Sequence, residues 1–241
     1  AAFLDEILRE GVFIVANKSW SKEFLRDLVP SVASMVSLSC YVLADTYFVA
    51  TGVGSIGLAG LNMALPAYSL INALGLMLGI GAGVLTAVSR GQGDEGRQNT
   101  IFRCVLAVGA AFGVLLTVLG VVFAGPLVRL LGASELSAPF AATYIRTLAA
   151  FSLCFLTNNI LVAMVRNDGN PRLAMTSMIT CSLSNVVLDY IFIMHFGWGL
   201  FGAAFATGLA PIIGMCILSL PWLRGQNTLR LPRGQLELRL A

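Results

Sequence analysis

From Arg172 to His195 the chain reads RLAMTSMITCSLSNVVLDYIFIMH, a long apolar run with a single carboxylate, Asp189, set inside it. At about 1.5 Å per residue a helix of this length crosses a hydrocarbon core of ~30 Å, which leaves Asp189 where no water can receive it. A charge at that depth costs ~2.5–3.5 kcal/mol on insertion scales, so an intramembrane acid is read first as a functional group. Asn185 precedes it by four residues and shares its helix face. That face offers three side-chain oxygens to a cation or a proton.

The rest of the chain has the same character. It is 57% hydrophobic and 11% charged, with a mean hydropathy of +0.85, more apolar surface than one soluble core of this length can hide. The expectation is an integral membrane protein. Its net charge of +3 does not indicate a nucleic-acid partner, because the basic residues are scattered through short loops. Cys40, Cys104, Cys154, Cys181 and Cys216 all fall in apolar runs without CxxC spacing. They read as small packing residues, not as a disulfide framework or a zinc site.

Taken in order, residues 1–23 form a cytoplasmic segment in which 3–16 has the pattern of an interfacial amphipathic helix. Six spanning helices follow, at about 24–50, 58–88, 101–123, 140–165, 172–195 and 200–223, and 224–241 is a cytoplasmic tail or linker. Pro30 predicts a bend in the first span, since proline removes a backbone donor and crowds the preceding turn. Gly75, Gly79 and Gly83 recur every four residues in the second, the small-residue face that lets helix backbones approach closely. Residues 124–139 contain Gly125, Pro126, Gly132 and Pro139 and read as a broken, non-spanning connection. Asn158 and Asn159 read either as interhelical hydrogen-bond partners or as the lining of a cavity.

Six spans put both termini on one side. With the termini cytoplasmic, thirteen Lys and Arg residues lie inside and two, Arg129 and Arg146, outside, so the positive-inside rule places both ends in the cytoplasm of a multi-pass protein of the cell membrane. Trp20, Trp198 and Trp222 fall at span ends, as an aromatic belt requires.

This orientation lets depths be compared. Asp45 lies six residues before the turn at Thr51 and Asp189 six before His195, so each sits about 9 Å inside the outer boundary. Thr207 on the sixth span reaches a similar level. Two carboxylates, an amide and a hydroxyl from three helices therefore share one depth. Two ionised carboxylates repel, so the pair holds a proton or admits a cation. Oxygen donors of this kind suit Na⁺ or H⁺ and lack the His or Cys of a transition-metal site. The structural alternative is that each acid is neutralised separately, with Arg146 the one basic residue near that level. An intramembrane aspartyl protease is disfavoured: Gly91-Gln92-Gly93-Asp94 matches Gly-x-Gly-Asp but sits in a charged loop, and Asp45 and Asp189 follow Ala44 and Leu188. The reading is a transporter, not an enzyme.

Four segments carry a family resemblance: LADTYFVATGVGSIGLAGLNMALP at 43–66, LGIGAGVLTAVSRGQGDEG at 78–96, ILVAMVRNDGNPRLAM at 160–175 and SNVVLDYIFIMHFGWGLFGAAFATGLA at 184–210. The chain resembles the N-terminal half of a multidrug and toxic compound extrusion (MATE) transporter. An Asp in the first helix together with Asn-x-x-x-Asp in the fifth is most similar to the prokaryotic DinF-like branch. The resemblance implies an all-α bundle of six transmembrane helices, one lobe of a twelve-helix antiporter that expels small amphipathic or cationic drugs against Na⁺ or H⁺. It implies no cofactor beyond that coupling ion. Its cation site, where Na⁺ would be held, corresponds to Asp45, Asn185, Asp189 and Thr207. Tyr41, Tyr144 and Asn158 correspond to cavity positions, and Pro30 to the hinge of the first helix.

The chain departs from the family in length. It starts at Ala1 and stops in what resembles the linker between lobes, so the expectation is a fragment or a truncated gene product. Transport then calls for a partner lobe, the C-terminal half or a second copy. Two other readings stay open: a lipid-linked saccharide flippase of the wider superfamily, which needs a cavity ringed by cationic residues where only Arg146 is a candidate, and a non-transporting membrane scaffold. Neither the coupling ion nor the drug is specified by the residues.

Overall fold

A computed structural model describes residues 18–223. The amphipathic segment expected at 3–16 and the tail expected at 224–241 lie outside them. Among the described residues the chain is helical, without strands: α1 (Lys18–Gly52), α2 (Ser55–Gly91), α3 (Glu95–Leu130), α4 (Ala138–Ala150), α5 (Ser152–Asn167), α6 (Pro171–Asp189), a π-helical turn (Tyr190–His195) and α7 (Gly199–Leu223). Five helices are long and apolar enough to cross a membrane, and α4 with α5 forms a sixth span bent by 53°. The all-α, six-span bundle expected from the sequence is the fold observed.

Large apolar side chains such as Val29, Leu43, Met77, Val122 and Leu183 point outward, as they must where hydrocarbon is the solvent. The interior holds two apolar clusters. One gathers Val49, Leu61, Ile71, Val128, Leu148 and Ile193, and the other gathers Phe102, Val105, Ile160, Met164 and Leu218. α2 packs chiefly on α5, α1 on α6, α3 on α4 and α5, and α6 on α7, whereas α1 and α2 barely touch. That sparse contact leaves a slot between the first two spans.

The connections are tighter than the sequence pattern indicates. Only Val53 and Gly54 separate α1 from α2, with Gly54 at φ 87°, a left-handed conformation that glycine adopts without strain. The charged stretch 89–99 contracts to three residues because Asp94 caps α3, accepting a hydrogen bond from the Arg97 backbone N–H at 2.9 Å. α3 does not stop near Phe123. It continues through Gly125 and Pro126 to Leu130 because Ala124 and Val128 are buried in the first of these clusters. Packing there offsets the one hydrogen bond that the proline forfeits.

The fourth span is broken at Phe151, where no proline or glycine marks the sequence. Its N–H donates to Leu148 O at 3.1 Å in a tight turn, and Thr117 Oγ1 on α3 donates to Ala149 O at 2.8 Å. The Phe151 ring packs edge-on against Phe205, centroids 5.6 Å apart. A side chain from a neighbouring helix thus satisfies a carbonyl at the break, one of the identifiable causes of helix kinks. α1, in contrast, runs through Pro30 without a break, and Ser34 Oγ donates to Pro30 O at 2.7 Å.

The small-residue face of α2 lies on α5. A Cβ at Gly75 would come within 3.0 Å of Asn159 Cβ, and one at Gly79 within 2.9 Å of Ala163 Cβ and 3.1 Å of Asn159 O. Gly81, two residues on, faces open space. Gly79→Val is therefore expected to cost about 1–3 kcal/mol through overpacking, read as a lowered thermal midpoint in detergent, with Gly81→Val much nearer the parent. Equal midpoints for the two variants would contradict a close α2–α5 contact.

Candidate cation site and adjoining cavity

Each half of the site is an i, i+4 pair on one helix face: Tyr41 and Asp45 on α1, Asn185 and Asp189 on α6. Because α1 lies along α6, the two pairs meet. α7 brings Thr207 to the same level, and α4 brings Tyr144. The relative exposures are 8% for Asp45, 2% for Asn185, 0% for Asp189 and 5% for Thr207. All four residues expected at a common depth are thus withdrawn from the surface together. The two carboxyl groups lie within electrostatic range of each other.

Asn185 is the centre of the hydrogen bonding: its amide nitrogen donates to Asp189 Oδ2 at 3.1 Å and its oxygen accepts from the Thr207 backbone N–H at 3.2 Å. This is the orientation an ionised carboxylate requires, since it accepts and cannot donate. Asp45 Oδ1 and Asp189 Oδ1 are buried and have no hydrogen-bond partner. Nor does either acid form an ion pair with a described residue: Arg146, the basic residue expected nearest, is exposed. Two unpartnered carboxylate oxygens beside an amide and a hydroxyl fit a proton or an oxygen-coordinated cation.

Tyr144 is buried, close to Thr207 and within electrostatic range of both acids. It belongs with the carboxyl cluster and does not line the main cavity. Tyr41 and Asn158 do line it. The cavity, of about 300 Å³, is walled by α1, α2, α5, α6 and α7. Tyr41 Oη and Tyr68 Oη share a 2.8 Å hydrogen bond across it, and the Tyr68 ring meets Phe155 edge-on with centroids 5.6 Å apart. Asn159 Nδ2 donates to Asn72 Oδ1 at 3.0 Å, whereas Asn158 Oδ1 has no partner. Both asparagines line the cavity, and Asn159 also ties α5 to α2. Asn185 and Thr207 contribute to both compartments. Pro30 lines neither.

Sequence reasoning missed Tyr68, Asn72 and Arg166, all of which line the cavity. Tyr68 and Asn72 were recoverable: Asn72, Gly75 and Gly79 fall on one helical stripe, and Tyr68 lies one turn earlier. The π-helical turn after Asp189 was missed as well. There the Tyr190 N–H is shared between Val186 O and Val187 O, and the Phe196 N–H reaches back to Ile191 O at 2.9 Å. Such wide turns occur often at functional positions.

Comparison with known proteins agrees with this architecture. The family model described as MatE matches residues 30–191. The multidrug export protein MepA of Staphylococcus saprophyticus is 24% identical over 220 residues, covering 89% of this chain and 48% of that protein. The outward-facing conformation of a multidrug resistance MATE family transporter of the MOP superfamily superposes with a TM-score of 0.81 at 28% identity, over 87% of this chain and 47% of that one. The inward-facing conformation of a MATE family transporter of that superfamily gives a TM-score of 0.72 at 28% identity, over 84% and 47%. The chain spans about half the length of the relatives it matches.

The hydrogen bonding predicts that Asn185→Leu, which strips Asp189 Oδ2 of its partner, destabilises the chain by about 1–3 kcal/mol, the cost of orphaning a buried polar group. Thermal unfolding of the purified chain in detergent measures this, and an unchanged midpoint would remove Asn185 from its place beside the acid.

Proposed function

The chain belongs to the MATE family, and from that premise we propose that it forms the N-terminal half of a cation-coupled multidrug efflux antiporter. One observation carries the reading: two buried acids, each with an unpartnered oxygen, adjoin a drug-sized cavity and share Asn185 and Thr207 with it. Na⁺ or H⁺ arriving from outside is held by Asp45 and Asp189, with Asn185 and Thr207 completing the oxygen set. Neutralising Asp189 weakens its charge-assisted hydrogen bond from the Asn185 amide, and that amide stands on the wall of the cavity. Ion and drug then compete because each favours a different arrangement of the same residues.

Export needs a second body to move against this one. The slot between α1 and α2 lies where that body would close the cavity. It is supplied by a C-terminal lobe or by a second copy of the chain. Pro30 serves as the hinge of α1, with Ser34 holding the carbonyl of the proline itself. The positive-inside distribution puts both termini in the cytoplasm. A saccharide-lipid flippase is less well supported, because Arg146 is exposed and, among the described residues, a single cationic side chain, Arg166, lines the cavity in place of a ring.

Ethidium efflux from cells expressing this chain with a C-terminal lobe is expected to fall at least about fivefold in Asp189→Asn, the low end of typical coupling between sites. Purified parent protein is expected to melt at a higher temperature when the coupling cation is added, since a ligand of the native state stabilises it by mass action. Asp189→Asn should lose that response. Na⁺ and pH series identify the ion, and a variant that pumps as well as the parent would refute the coupling role.

A further inference from the structure

The cavity is not electrically neutral, and its sign is unexpected for a drug site in a reading that favours cationic substrates. Among the described residues that line it, Arg166 is the one charged side chain; the acids Asp45 and Asp189 lie behind Asn185 and Thr207, outside the lining. Arg166 is half-buried in the last turn of α5. Its Nη2 donates to Met178 Sδ at 3.6 Å, and a thioether is a weak acceptor that leaves most of a guanidinium's five donors unused. The carboxylate nearest in sequence, Asp168, is paired with Arg90, which also donates to Asn167 O at 3.2 Å. The remaining polar groups of the lining are neutral: the tyrosines, the asparagines, Ser182 and Thr207.

The geometry points to Arg166 as an anion-recognising subsite, so that this lobe takes amphipathic compounds with an apolar body and one sulfonate, carboxylate or phosphate group. The inference rests on the reading of this cavity as the compartment of the exported compound. A planar guanidinium suits such a group because it offers parallel N–H donors to two oxygens at once. The apolar body then lies along Leu76, Ile80 and Phe155, and its polar substituents meet Asn158 and Asn159. A basic residue in a helix's last turn also compensates the helix dipole, but that role makes no demand on what enters the cavity, and the two are separable by a binding readout.

The test is equilibrium binding of two probes to the purified full chain in neutral detergent: 8-anilinonaphthalene-1-sulfonate as the amphipathic anion and ethidium as a cation of similar size. Arg166→Gln is expected to weaken the sulfonate by roughly tenfold or more, Arg166→Lys to recover most of that loss, and neither to weaken ethidium. Arg129→Gln, which removes the same charge from an exposed position at the end of α3, should leave sulfonate binding unchanged. Should Arg166→Gln fail to fold, Val162→Trp carries the test, because it fills the cavity and spares the guanidinium; it is expected to abolish sulfonate binding. Competition by phosphatidylglycerol but not phosphatidylcholine vesicles, lost in Arg166→Gln or in Val162→Trp, assigns the anion to a lipid headgroup. Absence of competition assigns it to a soluble amphiphile. Sulfonate binding that is indifferent to Arg166→Gln or to Val162→Trp, or that falls equally in Arg129→Gln, overturns the subsite. Because the readout is binding and not efflux, that result would leave ion-coupled export of a cation standing, and an export failure would leave the subsite intact.

Discussion

Two carboxyl groups without a cationic side chain to meet them, held inside an apolar bundle, set the terms for the rest of this structure. A buried acid is tolerated when it is paired, hydrogen-bonded or discharged. Asp189 has one amide contact and one oxygen with no partner; Asp45 Oδ1 likewise has none. The bundle thus holds two buried acidic oxygens that no described residue satisfies, a cost that protonation or a bound cation would relieve.

Holding the acids there is a matter of helix packing. α1 lies along α6, so that Tyr41 and Asp45 face Asn185 and Asp189, and it leaves α2 almost untouched. α2 is drawn instead onto α5 by its glycine stripe, where backbones come close enough that added methyl groups would collide with Asn159 and Ala163. The break at Phe151 turns α5 relative to α4. Its consequence is functional: α4 delivers Tyr144 to the acids while α5 delivers Asn158 and Asn159 to the cavity. A single straight helix would present one face to both compartments.

Much of this could be read from the residues alone, and the exceptions have physical causes. The span count and the common level of Asp45, Asp189, Asn185 and Thr207 follow from hydropathy and from a fixed rise per residue, both local quantities. Arg146 misled as a candidate neutraliser because depth fixes a level and not a direction; its side chain leaves the bundle. The continuation of α3 past Pro126 and the kink at Phe151 depend on partners far off in sequence, for the first the cluster of Leu61, Leu148 and Ile193 that buries Val128 and for the second Thr117 on another helix, and no local pattern announces either. Arg166 reads from the sequence as a loop charge; in the structure it lies in the last turn of α5, beside Met178, and lines the cavity.

The acids and the cavity form two compartments with a common wall. The acids sit behind Asn185 and Thr207, and the cavity begins in front of them. A cation and a larger solute can therefore occupy the lobe without touching, and direct displacement is not required for them to exclude one another. What the two compartments share is the wall formed by Asn185, whose amide nitrogen donates to Asp189, and Thr207, whose backbone N–H meets the amide oxygen. A contact of this kind moves no helix by itself, because a ligand shifts a conformational equilibrium only by the difference in its affinity for the two states.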